Sequence, residues 1–469
     1  MTDDYDVIVI GAGPAGETLA GRCAEGGLSV AIVERELVGG ECSYWGCIPS
    51  KVLIRPGDVL AAAERVPGAA PAVTGAVDVG KTFAHRDLFT GNWDDAGALP
   101  WLEERSIVLV RGQGRLAGER IVEVATAADG PRRLTAGRAV VVATGTGPNI
   151  PPVPGLDDVR PWDNRTVTAT HEVPARLLVL GGGAIGAEMA QAMRRLGTVS
   201  VTVVEAGPRL LAREEPFAGE EVRAAFEAEG IAVRVGVHLA RVERNGDGSV
   251  RAVLADDTEL LVDEVLVAVG RRPSTGDVGL DSVGLEPGRF VEVDDQLRAT
   301  GVSGDWLYAI GDCNGRALLT HMGKYQGRIA ADVILGRGGV AIADHGIVPR
   351  VNFTDPQVCA VGLTEEKARA AGGVVHTVTT PTGGVAGASV SADDYPGTSQ
   401  LVVDGDRRVI GATFVGPGVQ ELLHSATVAI AGGVTLDRLW HAVPSFPTVT
   451  EVWLRLLEAA ERELGPMSS

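Results

Sequence analysis

Two glycine-rich loops, each with a strand before it and a helix after it, constrain this chain more than any other feature. The first follows the apolar strand Val7-Ile8-Val9-Ile10 and reads Gly11-Ala12-Gly13-Pro14-Ala15-Gly16, opening a helix through about Glu25. The second follows Leu177-Leu178-Val179-Leu180 and reads Gly181-Gly182-Gly183-Ala184-Ile185-Gly186, with a helix from Ala187 to Leu196. With 63 glycines in the chain, roughly one G-x-G-x-x-G run is expected by chance, so the loop alone is weak evidence. The context decides. In each copy a second short strand follows, Ser29-Val30-Ala31-Ile32-Val33 or Val201-Thr202-Val203-Val204, and each ends in a carboxylate, Glu34 or Glu205.

The residue types match a physical task. Gly11 and Gly181 make the tight turn, and Gly13 and Gly183 let backbone N–H groups approach a pyrophosphate. Gly16 and Gly186 let helix and strand pack closely, while Glu34 and Glu205 can accept hydrogen bonds from ribose hydroxyls. Two such units imply two dinucleotides, and hydride exchange between them is the obvious use. A carboxylate at Glu205 repels a 2′-phosphate, which favours NADH over NADPH. Arg209, four residues on, could accept that phosphate and keeps NADPH possible.

Size and charge narrow the rest. A chain of 469 residues exceeds one core and suggests about three or four domains. A formal charge of -19 argues against nonspecific nucleic-acid binding and against attraction to anionic membranes. No apolar run reaches the length of a membrane span. The acidic start, Met1-Thr2-Asp3-Asp4-Tyr5-Asp6, leads straight into a strand, so no signal peptide is expected and the cytoplasm is the expected location. Five cysteines do not make a secreted disulfide framework, and in a reducing compartment a pair that matters is catalytic more often than structural.

One pair stands out in Gly39-Gly40-Glu41-Cys42-Ser43-Tyr44-Trp45-Gly46-Cys47-Ile48-Pro49-Ser50-Lys51. A free-standing C-x4-C could be incidental, but this whole run resembles the redox-active disulfide segment of the class I pyridine nucleotide-disulfide oxidoreductases. That is the family of dihydrolipoamide dehydrogenase, glutathione reductase and mercuric reductase, and the likeness runs nearly end to end. It implies an α/β fold of two Rossmann-like dinucleotide-binding domains plus a C-terminal α+β dimerisation domain. The corresponding divisions are 1–150 for FAD, 151–273 for NAD(P), 274–344 for a central domain completing the FAD site, and 345–469 for the interface domain of a homodimer. Within it, Cys47 would lie nearer the flavin and form a charge-transfer pair with it, and Cys42 would exchange with the substrate. Lys51, one helical turn after Cys47, would pair with Glu188 near the flavin. Gly40, Thr144, Gly145, Gly311 and Asp312 would join Gly11, Gly13, Gly16, Glu34 and Lys51 around FAD, with Asp312 on the ribityl chain. Gly270 would join Gly181, Gly183, Gly186 and Glu205 around the nicotinamide dinucleotide. Ala184 stands where some relatives carry a tyrosine gate, and Tyr44-Trp45 replace the usual small residues, either filling space or offering a ring to a flat substrate. Thr364 reads as the N-cap of a short helix to Ala371.

The departure from the family lies near the C-terminus, in Phe446-Pro447-Thr448-Val449-Thr450-Glu451. The family's general base is a histidine that falls on Phe446 here, so Glu451, which would orient that imidazole as part of the catalytic set, has nothing to orient. His441 is the one nearby substitute. Mercuric reductase also lacks this histidine but depends on a C-terminal cysteine pair, which this chain does not have, so mercury reduction is disfavoured. The resemblance therefore implies a relay from NADH through FAD to Cys42 and Cys47 without the usual proton handler. Its partner is a small-molecule electron acceptor: a disulfide or dithiol substrate, or alternatively a quinone or other electrophile reduced by a diaphorase. A flavoprotein kept only for binding would have little use for the cysteine pair.

Overall fold

The computed structural model describes residues 2–126 and 130–467. They form an α/β chain that divides into two units, each built from three separate stretches. The first comprises Met1–Pro49, His85–Asn149 and Arg271–His345. Its sheet runs in the order Val108–Arg111, Val30–Glu34, Thr2–Ile10, Arg132–Val142, Ile121–Ala125, Gln113–Leu116, and Leu307–Ala309 also pairs with Arg132–Val142. Thr2–Ile10 is parallel to both neighbours. Val7, Ile8 and Val9 are fully buried: Val7 and Val9 face helices, and Ile8 faces Val122, Val124 and Leu280 on the other side of the sheet. The helices Pro14–Glu25 and Thr320–Ile334 lie against each other. Glycines at the crossing allow this, since a Cβ on Gly323 or Gly327 would press on Ala15.

The central strand begins five residues before the apolar run at Val7, at Thr2. Asp3 and Asp4 are poor strand formers, but pairing with Arg132–Val142 recruits them, and Asp6 sits at the irregularity between Tyr5 and Val7. Asp3 forms an ion pair with Arg132, and Asp6 accepts hydrogen bonds from the N–H and hydroxyl of Ser29.

The second unit comprises Ser50–Ala84, Ile150–Gly270 and Gly346–Ser469. Its parallel sheet, Ile231–Val235, Ser200–Glu205, Arg176–Leu180, Glu264–Val267, carries the second glycine loop. A three-stranded antiparallel sheet follows within the same stretch. The C-terminal stretch forms an antiparallel sheet in the order Arg350–Asn352, Gln357–Gly362, Val409–Gly416, Thr398–Asp404, Val375–Pro381. The amphipathic helix Val452–Leu464 buries Val452, Trp453, Leu456 and Leu457 in the core beside Phe414. Thr364 caps the helix Glu365–Ala371 by accepting the Lys367 N–H, as expected.

The helix after the second loop starts at Ala184, three residues before the expected Ala187. The last residues of the loop are themselves its first turn, and Gly183 is its extended N-cap. Gly186 sits so close to the loop that any Cβ would collide with the carbonyl of Gly181. Gly186→Ala should therefore cost about 1–3 kcal/mol of stability and weaken NADH binding, both read from denaturant titrations with and without the nucleotide.

Candidate active site

In the first unit the cysteine segment is seated directly on the first glycine loop. Gly39 and Gly40 both adopt positive φ, 114° and 58°, which few other residues tolerate. The Gly39 N–H donates to the Ala12 carbonyl at 2.8 Å, and a side chain on Gly40 would press on the Gly13 backbone. A short helix, Gly40–Tyr44, presents Cys42, and a second, Cys47–Glu64, opens on Cys47. Tyr44 is buried and its hydroxyl donates to the Val38 carbonyl, so this ring fills space behind the cysteines.

Cys42 is half-buried and Cys47 exposed. A hydrogen bond to Cys47 pushes the Cys42 thiol well above the usual thiol range. Burial and the charge of Cys47 add to this, whereas Thr320 and Lys324 pull the other way. Cys47 Sγ lies 3.3 Å from the hydroxyl of Thr320, the first residue of its helix. Sequence reading missed Thr320, because an isolated hydroxyl at a helix start has no distinguishing pattern. The remaining cysteines are buried. Burial pushes the thiols of Cys23 and Cys313 up to about 12, which makes them poor nucleophiles.

The same unit contains a cradle that suits FAD. Glu34 Oε2 accepts the Ala12 N–H at 2.8 Å and Oε1 the Glu36 N–H at 2.7 Å, so the carboxylate is oriented at the end of its strand. Space is open at Gly13, where a Cβ would meet nothing within 4 Å. Gly145 turns the chain at φ 68°. Thr144 Oγ1 is buried without a hydrogen-bond partner, and such a group calls for a polar ligand. Gly311 donates its N–H to the buried Gln326 side chain, which places Asp312. Burial raises the Asp312 carboxyl above the ordinary range, although the Thr146 hydroxyl, at 2.8 Å, and the Arg271 charge oppose it. Arg271 also donates to the Thr146 hydroxyl at 2.7 Å and pairs with Glu41, a link from this strand to the cysteine segment not foreseen from sequence.

The second unit repeats the carboxylate arrangement. Glu205 Oε2 accepts the Gly182 N–H and Oε1 the Gly207 N–H, both at 2.6 Å. Gly183 is open as Gly13 is, while Gly181 and Gly270 take positive φ of 98° and 121°. These features suit a second dinucleotide. The Arg209 guanidinium donates to the carbonyls of Ala212, at 3.1 Å, and Glu214, at 3.4 Å. Elsewhere in this unit Lys51 Nζ donates to Glu188 Oε2 at 2.7 Å, so the expected pair is present. Its surroundings add Phe353, whose N–H donates to Glu188 Oε1 at 3.0 Å.

Glu451 is buried at the end of a short 3-10 turn, and its Oε2 has no hydrogen-bond partner. Phe446 is 76% exposed. His441 is exposed too, and it does not bond the free oxygen of Glu451.

Two dinucleotide loops, with a cysteine pair seated on one of them, define a FAD-dependent oxidoreductase that uses a nicotinamide dinucleotide. The chain belongs to the pyridine nucleotide-disulphide oxidoreductase family, which matches residues 5–327, and the dimerisation domain of that family matches residues 348–457. It is 31% identical over 454 residues to a mercuric reductase of Staphylococcus aureus, covering 96% of this chain and 81% of that protein. It is 34% identical over 472 residues to a dihydrolipoyl dehydrogenase of Thermus scotoductus, covering 97% of each. Among solved structures it resembles a Cu(II) complex of the HOCl-induced flavoprotein disulfide reductase RclA from Escherichia coli. That match has TM-score 0.85 and 26% identity over 98% of this chain and 99% of that one. LpdA from Mycobacterium tuberculosis gives TM-score 0.85 and 26% identity over 98% and 100%. The family binds FAD and NAD(P)H.

The raised Asp312 carboxyl gives a pH test. Because its folded value lies above the unfolded one, the native state binds the proton more tightly. Stability therefore falls as pH rises from the unfolded value towards the folded one. Asp312→Asn should raise the thermal midpoint of flavin-free protein at pH 8 and leave it unchanged below about pH 4, while FAD affinity drops.

Proposed function

We propose that this chain passes reducing equivalents from NADH through FAD to the Cys42–Cys47 disulfide, and from the resulting dithiol to a disulfide substrate. The observation that carries this is the cysteine pair, seated by Gly39 and Gly40 on the first dinucleotide loop. In this reading Gly11, Gly13, Gly16, Glu34, Gly40, Thr144, Gly145, Gly311 and Asp312 hold FAD, and Lys51 with Glu188 forms the charged pair beside it. Gly181, Gly183, Gly186, Glu205 and Gly270 hold NADH. The engagement of Arg209 with loop carbonyls supports NADH over NADPH.

When bound, FAD supplies two-electron transfer between the nicotinamide and a disulfide. The side chains handle nucleophiles and protons. Cys42 attacks the substrate disulfide as its proton passes to the departing sulfur, which leaves as a thiol; Cys47 then attacks the Cys42 sulfur, the second substrate sulfur departs, and the Cys42–Cys47 bond re-forms. Net, NADH, one proton and the disulfide give NAD⁺ and two thiols. Each departing sulfur needs a proton, and the residue in the family's position for delivering it is Phe446, which has none to give. Exchange therefore proceeds slowly. The unpartnered Oε2 of Glu451 also supports a second reading, in which the acceptor is a quinone or another electrophile and needs no imidazole. The dimerisation domain supports a homodimer, and a cytoplasmic setting suits the free cysteines. No helix among the described residues is long and apolar enough to cross a membrane.

Three outcomes are expected. NADH should outperform NADPH as the reductant in steady-state assays, and a clear preference for NADPH would show that Arg209 releases its carbonyls to take the phosphate. Wild-type protein should reduce lipoamide-like disulfides poorly and quinones rapidly. Phe446→His should raise the disulfide rate, towards the roughly 10²–10⁴-fold that a positioned general acid–base supplies, and leave the quinone rate unchanged. If wild type turns over lipoamide as fast as quinone, and His441→Ala abolishes only that activity, His441 is the base.

A further inference from the structure

The helix Cys47–Glu64 and the helix Ala184–Leu196 meet along a polar seam in the second unit. From the first come Lys51 and Asp58, with Arg65 just beyond its end, at heptad spacing. From the second come Glu188, Gln191 and Arg195, also on one face. Into this seam runs the short segment 353–355, which opens the C-terminal part of the chain. Asp355 donates its N–H to Gln191 Oε1 at 2.7 Å and receives Gln191 Nε2 on its carbonyl at 3.0 Å. Its carboxylate pairs with Arg65, and with Arg195 at 2.7 Å. Arg195 also holds Asp58 at 3.0 Å and Glu229 at 2.7 Å. The segment is thus fastened at its far end by a partly buried ionic cluster.

At the near end is Phe353. Its N–H donates to Glu188 Oε1 at 3.0 Å, while Lys51 Nζ takes Glu188 Oε2 at 2.7 Å. The ammonium also lies 4.6 Å from the centroid of the Phe353 ring. One residue therefore grips both members of the pair, the carboxylate through its backbone and the ammonium through its ring face. Lys51 keeps about a third of its side-chain surface exposed, so without the ring its long stem has room to move.

We propose that Phe353 is a positioning residue for the redox centre, holding the Lys51 ammonium against Glu188 so that the charge stays in one place beside the flavin. This rests on the reading that Lys51 serves the flavin. A cation over an aromatic face contributes a factor of about two to thirty, depending on desolvation. The anchoring of Asp355 explains why the task falls to a loop residue: the ionic cluster makes the loop rigid where Phe353 leaves it.

The test is a double-mutant cycle on the FAD-loaded full-length protein, comparing wild type with K51M, F353L and K51M/F353L. Two quantities are read: the rate constant for flavin reduction by NADH, and the intensity of the long-wavelength absorption band of the two-electron-reduced enzyme. K51M should reduce both. F353L should slow reduction by about two- to thirtyfold and weaken the band, F353Y should restore both, and F353L should add nothing in the K51M background. If K51M changes neither quantity, the assignment of Lys51 to the flavin fails, and the proposal with it. If K51M acts but F353L does not, or if F353L acts equally in both backgrounds, only the role of Phe353 is overturned. Should F353L not retain FAD, F353M, which keeps the volume and loses the ring, carries the same cycle.

Discussion

Contact between two pieces of backbone, Gly39-Gly40 on Ala12-Gly13, is the constraint on which the chemistry depends. A dinucleotide loop needs bare backbone so that its N–H groups can reach a pyrophosphate, and a reactive sulfur needs to sit a fixed distance from what that loop holds. Letting Gly39-Gly40 rest on the Ala12-Gly13 backbone meets both needs, because no side chain lies between Gly40 and Gly13. Both Gly39 and Gly40 are held at positive φ, where a substitution would move the cysteines or strain the turn. The position of Cys42 and Cys47 follows from this seat, and the hydroxyl of Thr320 beside Cys47 finishes the local environment.

Charge is managed the same way in both dinucleotide loops. Glu34 and Glu205 each accept one N–H from the middle of their own loop and one from two residues downstream, at nearly equal distances. Each carboxylate is oriented in advance, which would lower the entropy cost of binding a ribose in the proposed role. In the first unit, Asp312 shows the opposite balance: burial lifts its carboxyl out of the ordinary range, with only Thr146 and Arg271 opposing. A buried acid of that kind is tolerable when a ligand offers hydroxyls to it.

How much was legible in the sequence depended on whether the physics left a local pattern. The two loops were readable because only glycine satisfies their turns and close approaches, and the paired cysteines were readable from the residues around them. The Lys51–Glu188 pair came from resemblance, as no spacing rule joins residues so far apart, and the structure brings the two together. Phe353, Thr320 and the carbonyl contacts of Arg209 left no such trace. Each depends on a neighbour distant in sequence, and a lone aromatic, hydroxyl or arginine is common everywhere. The early start of the central strand was hidden for a related reason: its acidic residues are poor strand formers, and only their partners Arg132 and Ser29 make them one.

The proposed relay depends above all on Cys42 and Cys47 cycling between disulfide and dithiol in electronic contact with the flavin. Anaerobic titration of oxidised, FAD-loaded protein with NADH tests it most directly. The first equivalent should leave the flavin oxidised, produce a long-wavelength thiolate-to-flavin band that Cys47→Ser abolishes, and expose two new thiols per subunit. Bleaching of the flavin by that first equivalent, with no band and no new thiols, would contradict the account.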